Sequence, residues 1–351
     1  MIDNTRAETM TLTEWVSRLW LPVMRTQVKA STFDSYERIL KLHIVPRLGE
    51  FALEDLTPRM ITLAYVDMLA NGRSNRATTE LKSKTVWNVH LVLHKLLADA
   101  VDDGLLIVNP ADRAKPPRAN NSSSPELHFW EARELAQFLA YVRGSRLEAL
   151  WHLAAMTGMR RGELLGLRWG DVDFGRRRLS VRRNLVSVAY KLVETTPKNH
   201  QARVIDLDAL TVEVMEAHRA RQRVERAQLG HGPATDRDGV FARENLAPLQ
   251  PDFVSQSFGR AIHNAGVRRI RFHDLRHTHA TLALQAGVPT KIVSERLGHA
   301  TPEFTMRQYQ HAIPGMQAEA AATIAALVAN AIDSATNGSE SNGISRINDN
   351  A

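Results

Sequence analysis

The sequence predicts a mainly α-helical protein with one small antiparallel β-sheet, built as an N-terminal helical bundle followed by a larger mixed α/β domain. Three observations lead there. Apolar residues recur at helical spacing through the first hundred positions and again beyond residue 127. Between those regions AKPPRANNSSSPE (Ala114–Glu126) is rich in Pro, Ser, Asn and charge, has no apolar period, and reads as a linker. From Arg178 to Asp208 the pattern changes to short β-branched segments, LSVRRNLVSV, YKLVET and RVIDL, which read as the sheet. The expected boundaries are a short segment 1–10, a bundle 11–113, a linker 114–126, a second domain 127–333 and a polar tail 334–351.

The elements follow in order. Leu12, Trp15, Val16, Leu19 and Trp20 form one apolar stripe of a first helix. Ser31 and Thr32 read as N-caps of a second, with Asp34 in its first turn and Phe33, Tyr36 and Leu40 inward. Thr57-Pro58 supplies an N-cap and a first-turn proline for the third, and Asn71-Gly72 its stop. The fourth runs from about Lys82 to Asp102 with Val86, Val89, Leu93, Leu96, Leu97 and Ala100 on one face, closed by Asp103-Gly104. In the second domain, helical patterns cover Glu131–Arg143 and Ser145–Thr157, resume near Thr211, and end with an Ala-rich stretch, Met316–Ile332. The last eighteen residues have the composition of a disordered tail.

Composition narrows the function classes. At 351 residues and 44% apolar content the chain has material for about two cores. No apolar run approaches the roughly 18 residues of a membrane span, and MIDNTRAETMTLTEW lacks the apolar core of a secretory signal. The absence of cysteine excludes disulfides and thiolate metal sites and fits a cytoplasmic protein. A formal charge of +7 favours an anionic partner, nucleic acid first.

Three phrases carry the chemistry: TGMRRGELLGLRW (Thr157–Trp169), HDLRHTHAT (His273–Thr281) and LGHATPEFTMRQYQH (Leu297–His311). A lysine, Lys198, lies between the first two in TPKNHQARVIDL. Arg160, Lys198, His273, Arg276, His299 and Tyr309 together suit cleavage of a phosphodiester without a metal or other cofactor. Guanidinium groups offer planar forks of donors to the extra charge of a pentacoordinate phosphorane and do not deprotonate. Glu163, three residues after Arg160, shares its helical face and is placed to hold it; Arg161 is a rival for the phosphate. His273 and Arg276 stand at i and i+3, projecting from one face. The histidines of HxxxHxH also suggest a metal site. On a helix, though, His279 points away from His273 and His277, so those two later histidines read as packing. Tyrosine is a weak nucleophile at its free pKa near 10, and Tyr309 needs cationic neighbours and a base.

In this order, with the lysine between them, the phrases resemble the catalytic domain of the tyrosine recombinases, the phage integrase family. The bundle resembles that family's SAM-like core-binding domain through TFDSYERILKLHIVPRLGEFALEDLTP and AVDDGLLIVNPA. The resemblance implies that Arg160 and Arg276 clamp the phosphate and that Tyr309 attacks it, leaving a 3′-phosphotyrosine and a free 5′-hydroxyl. It implies that His273 assists proton transfer, His299 binds a non-bridging oxygen and Lys198 protonates the leaving oxygen, with Lys191 a competitor. His311 matches a supporting position two residues after the tyrosine. Double-stranded DNA with a specific core site, a homo-tetramer working through a Holliday junction, and a directionality factor are the implied partners, in a bacterial or phage-infected cell.

Candidate DNA contacts are Lys29, Thr32, Tyr36 and Arg38, with Arg25, Ser31 and Lys41 beside them. Lys82, Lys84, Thr85 and Asn88 open the long helix with Ser83, where free N–H groups favour phosphate. Arg178 stands in a basic run with Arg176, Arg177, Arg182 and Arg183, which reads equally as a solvated face. A bundle starting near residue 11 leaves no room for a preceding arm-site domain, and Met316–Ile332 reads either as a segment docked on a neighbouring protomer or as packing on its own domain. Two other functions share these residues: a type IB topoisomerase or telomere resolvase with the same chemistry, and a non-catalytic DNA-binding regulator on the same fold.

Overall fold

In the computed structural model, residues 10–72, 80–118, 128–196, 202–309, 321–322 and 324–332 are described. Contacts divide the chain into two compact units, Met1–Glu126 with Val186–Val193, and Leu127–Leu185 with Glu194–Ala351.

Through residue 118 the first unit is helical, and its segment Val186–Val193 is β-structure. Helix α1 (12–27) is capped by Thr11, whose hydroxyl accepts from Glu14 N at 3.2 Å while the Glu14 carboxylate accepts from Thr11 N at 3.2 Å. Helix α2 spans 30–48. Each contains a π-helical stretch, Trp15–Trp20 and Leu40–Ile44, ending two residues before a proline, Pro22 and Pro46. The wider turn relieves the clash and the missing N–H that an interior proline imposes. It also corrects the stripe expected for α1. Leu12, Trp15, Val16 and Trp20 are buried, but the extra residue in the π turn rotates Leu19 outward to 43% exposure. Helix α2 differs too. It begins at Ala30 with Lys29 at the cap and no side-chain cap bond, so Ser31 and Thr32 lie within the helix. Helix α3 (Pro58–Asn71) starts as predicted, Thr57 Oγ1 accepting from Met60 N, and ends at Gly72. Helix α4 (Ser83–Asp102) buries all six of its predicted core residues completely.

The second unit begins with α5 (Ala132–Val142), α6 (Glu148–Thr157) and the short α7 (Arg161–Leu165). The predicted single sheet is two. Strands β1 (Val172–Asp173), β2 (Arg178–Val181) and β5 (Arg203–Asp206) form an antiparallel three-stranded sheet, with Leu179 opposite Ile205. Strands β3 (Asn184–Val188) and β4 (Lys191–Thr195) pair separately. Arg182-Arg183 breaks LSVRRNLVSV into two strands because Arg183 turns to the buried carboxylate of Asp171, at 2.6 Å.

Helices α8 (Ala209–Gln228) and α9 (Pro251–Ala265) follow, then α10 (Asp274–Gln285), α11 (Thr290–Leu297) and α12 (Pro302–Tyr309). The core of this unit centres on rings of Trp130, Phe138, Trp151, Phe258 and Phe272, in edge or tilted contact at 5.0–5.9 Å. It fixes α5, α6, α9 and the start of α10 against one another. A satellite cluster of Ala280, Val293, Leu297 and Tyr309 joins α10, α11 and α12. Residues 324–332 are helical with Ile324, Leu327 and Val328 exposed. No helix among the described residues is long and apolar enough to cross a membrane.

Candidate active site

Two glycines set the backbone of the site. Gly158 ends α6 and Gly298 ends α11, both in the left-handed region at φ +63° and +66°. A Cβ at 158 would stand 2.5 Å from Leu297 Cδ2 and 2.9 Å from His279 Cδ2; one at 298 would stand 2.9 Å from Arg203 Nη1. The two turns present their carbonyls to the two predicted clamp residues. Gly158 O accepts from Arg276 Nη1 at 2.8 Å, and Gly298 O accepts from Arg160 Nη2 at 3.1 Å.

Arg160 is the N-cap residue of α7, and Glu163 lies in the first turn of that helix. The Glu163 carboxylate is 1% exposed and accepts four hydrogen bonds: Arg160 N and Nη1, both at 2.9 Å, and Arg203 Nη1 and Nη2 at 3.0 and 2.7 Å. Burial alone would raise its pKa. The hydrogen bonds and charge of Arg203, with those of Arg160, outweigh burial and hold it down to about 2. Arg203 is itself fixed from β5, donating Nε to Arg296 O at 2.8 Å.

Arg276 is 3% exposed, and its Nη2 is buried without a hydrogen-bond partner among the described residues. Burial, then the charge of Arg160, lowers its pKa to about 9, so it remains cationic at neutral pH. A buried guanidinium with an idle donor costs several kcal/mol unless an anion satisfies it. Three guanidiniums, of Arg160, Arg203 and Arg276, here face one carboxylate. Asp274, the other buried acid nearby, is held by Arg271 at 2.8 Å.

His299 follows Gly298. Its Nδ1 meets Thr305 Oγ1 at 2.7 Å, and its ring lies edge-on to Phe304 at 4.9 Å. Burial, then Arg276 and Arg160, takes its pKa down to about 3, leaving a neutral ring. Tyr309 ends α12 at 1% exposure. Burial pushes its phenol up to about 12, with Arg276 pulling the other way. At pH 7 that leaves about one molecule in 10⁵ as phenolate. Its hydroxyl lies 2.9 Å from His277 Nδ1. The His273 ring stands perpendicular to that of His277 at 5.4 Å. Burial, then Arg276, lowers the His273 pKa.

One buried and two partly buried arginines, with an unfilled donor beside a tyrosine and neutral histidines, make an arrangement able to bind an oxyanion. The sequence profile of the Phage integrase family matches residues 126–315, and that of the phage integrase N-terminal SAM-like domain matches residues 11–68. The chain belongs to the phage integrase family, the tyrosine recombinases. A tyrosine recombinase XerC-like protein of Caldanaerobacter subterraneus is 29% identical over 337 residues, 92% of this chain and 84% of the relative. The ICEBs1 integrase of Bacillus subtilis is 25% identical over 306 residues, 86% and 80% of the two chains. The fold is that of the Tn1549 transposon integrase solved with a circular intermediate DNA, at TM-score 0.70, 21% identity and 91% and 99% coverage. It is also that of the lambda integrase solved as a tetramer on a Holliday junction, at 0.65, 19%, 86% and 78%.

Against this frame the predicted residues divide. Arg160, Glu163, His273, Arg276, His299 and Tyr309 fall in one linked cluster, while Lys198 and His311 lie outside the described residues. Arg161 is no rival: its Nη1 donates to Pro251 O at 3.0 Å and to Ser255, tying α7 to α9. Three residues of this cluster were not anticipated. Arg203 shares Glu163 with Arg160, and Thr305 holds His299. His277, read as packing, meets the tyrosine instead. Its i+4 spacing from His273 was the available signal; Thr305 had none. His279 does pack, through Nδ1 to Ala155 O at 3.0 Å. Among the described residues no group of three or more His, Asp or Glu could hold a metal.

The predicted DNA contacts are of two kinds. Lys29, Arg38, Lys82, Lys84 and Asn88 are exposed, and Thr32 and Thr85 are half-buried near helix starts. Tyr36 is half-buried with its ring 5.5 Å from Trp20. Arg178 donates to Asp206 at 2.5 Å, and Arg176, Arg182 and Arg183 likewise sit near Asp173 or Asp171.

Proposed function

We propose that this protein is a site-specific DNA recombinase of mobile-element integration or excision, with Tyr309 as its nucleophile. The observation that carries the reading is the buried Nη2 of Arg276, without a partner among the described residues, in a surplus of positive charge that Arg160 and Arg203 complete beside Tyr309. A scissile phosphate fits that place. Arg276 and Arg160 bind its non-bridging oxygens, and His299, neutral and oriented by Thr305, adds a donor. Tyr309 Oη bonds to phosphorus as the bond to the 5′-oxygen breaks, giving a 3′-phosphotyrosine and a 5′-hydroxyl. Lys198 supplies the proton to that oxygen. Glu163 and Arg203 hold Arg160 in place. Reversal with a new 5′-hydroxyl rejoins strands without a metal, since the arginines supply the positive charge.

Lys29, Thr32, Tyr36, Arg38, Lys82, Lys84, Thr85, Asn88 and Arg178 are proposed to contact the duplex, mostly at phosphates that set register. The proteins solved on DNA, one as a tetramer, support a homo-tetramer on two duplexes, and the exposed Ile324, Leu327 and Val328 support docking of the helix around 324–332 on a neighbour. A nicked duplex carrying an inverted repeat from the DNA flanking the gene should trap a covalent adduct that persists in EDTA. Tyr309→Phe should form none. No adduct with the parent chain, or its complete loss in EDTA, overturns the reading; plasmid relaxation without recombinants makes the protein a topoisomerase.

A further inference from the structure

We propose that His277, rather than His273, is the group that receives the phenolic proton of Tyr309, through Nδ1 at 2.9 Å from Oη. The inference rests on Tyr309 being the nucleophile and deepens that reading. His277 follows Arg276 directly and lies one helical turn after His273 on α10. Among the described residues the His273 ring takes no hydrogen bond, and it faces the His277 ring edge to face at 5.4 Å rather than the tyrosine. The satellite core holds Tyr309 at 1% exposure, which fixes the hydroxyl against this one nitrogen.

The groups around His277 decide its protonation. Arg271, His273, Asp274 and Arg276 surround it from its own helix and the turn before, Tyr309 from α12, and His299 from the turn preceding α12. Burial, followed by His273, takes its pKa down to about 4 despite Asp274. The ring is neutral at pH 7, and in its Nε2-protonated tautomer Nδ1 accepts while the tyrosine O–H donates. In the resting chain the proton stays on a phenol of pKa about 12. Phosphate changes that balance. As Oη bonds to phosphorus, the phosphorane gains a second negative charge beside the ring, favouring imidazolium while the phenol oxygen loses basicity. The proton passes from Oη to Nδ1, the pair of the breaking P–O bond stays on the 5′-oxygen, and that oxygen takes a proton from Lys198. On rejoining, the imidazolium returns its proton to Oη.

The test uses the full chain and the duplex it selects from a random-sequence pool, made with a 5′-bridging phosphorothiolate at the scissile position. The thiolate leaves unprotonated, so only nucleophile activation is read. Tyr309→Phe is the control for the underlying reading: adduct from that variant sinks the nucleophile assignment itself, whatever happens at 277. His277→Asn keeps an acceptor where Nδ1 stands but cannot take the proton. Both His277→Asn and His277→Phe should slow adduct formation by about 10²-fold on this substrate. Their rates should then climb about tenfold per pH unit between about pH 6 and 9 as hydroxide replaces the base, where the parent is flat. His277→Asn within about threefold of the parent, or with a flat profile, overturns the proposal; so does acquisition of the hydroxide dependence by His273→Asn instead. Nitrogen NMR of the parent keeps the contact testable without a change at 277. The His277 Nδ1 resonance should move in Tyr309→Phe, and an unmoved resonance also overturns the proposal.

Discussion

Two groups of arginines in the catalytic unit carry like charge in opposite settings. Along β1, β2 and the approach to β3, Arg176, Arg178, Arg182 and Arg183 each have a carboxylate within 4 Å, and three of the four are more than half exposed. Around Glu163, by contrast, Arg160 and Arg203 share one acid, and the deeper Arg276 near them has a donor with no partner among the described residues. In sequence the first group is the denser and the more conspicuous. The structure reverses their importance, because solvated and paired charge is weakly felt while desolvated, unpaired charge exerts a strong field. Cation surplus held in a buried place, rather than cation density, marks an anion site.

The largest test of that contrast is Arg276→Met, which should cut covalent adduct formation by about 10²–10³-fold. Its melting temperature should hold or rise, since an unsatisfied buried cation is removed. A rate loss accompanied by an equal loss of fold would instead make Arg276 structural. Next comes Glu163→Gln, which leaves two guanidiniums without their shared acid. Urea unfolding should show a loss of roughly 2–4 kcal/mol, below the fully buried range because Arg160 is partly exposed. An effect no greater than that at an exposed pair would erase the distinction between the groups.

Acid provides a third, intermediate test. His277, His279 and His299 have pKa values lowered to about 4, 4 and 3, below the ordinary 6.5 of the unfolded chain. Between those values the unfolded state binds more protons, so stability is full above about pH 6.5 and falls as pH drops toward 4. Melting temperature should decline over that window, less so with His279→Phe; a flat profile would refute the buried neutral histidines. The smallest effects belong to the exposed group. Arg178→Ala and Asp206→Asn should each alter stability by no more than about 0.5 kcal/mol. If Arg178 contacts phosphate as proposed, its loss should reduce the salt-dependence slope of DNA binding by about 1.

Helices were the most readable part of the fold. The stripe of α4 and the Thr57-Pro58 start of α3 follow from local periodicity and capping, which depend on a few adjacent residues. Two of the misread features involve a second residue. Leu19 was placed by a straight helical period, which a π turn ahead of Pro22 offsets. Ser31 and Thr32 are good caps in isolation, yet α2 starts earlier, at Ala30 with Lys29 as its cap. The expected sheet split because Arg183 turned to Asp171, twelve residues before it.

By itself the sequence determined the kinds of groups at the site, from the TGMR, HDLRH and LGH phrases, and the helical frame that carries them. Those depend on side-chain chemistry and short-range spacing, which the chain states directly. The tertiary structure alone decided that Arg203 shares Glu163 across 40 residues, that His277 meets Tyr309 across 32, and that Gly158 O takes Arg276 Nη1 across 118. Periodicity tells which face of a helix is buried, but not which distant polar group meets it there. That choice, and with it the idle donor of Arg276, belongs to long-range packing.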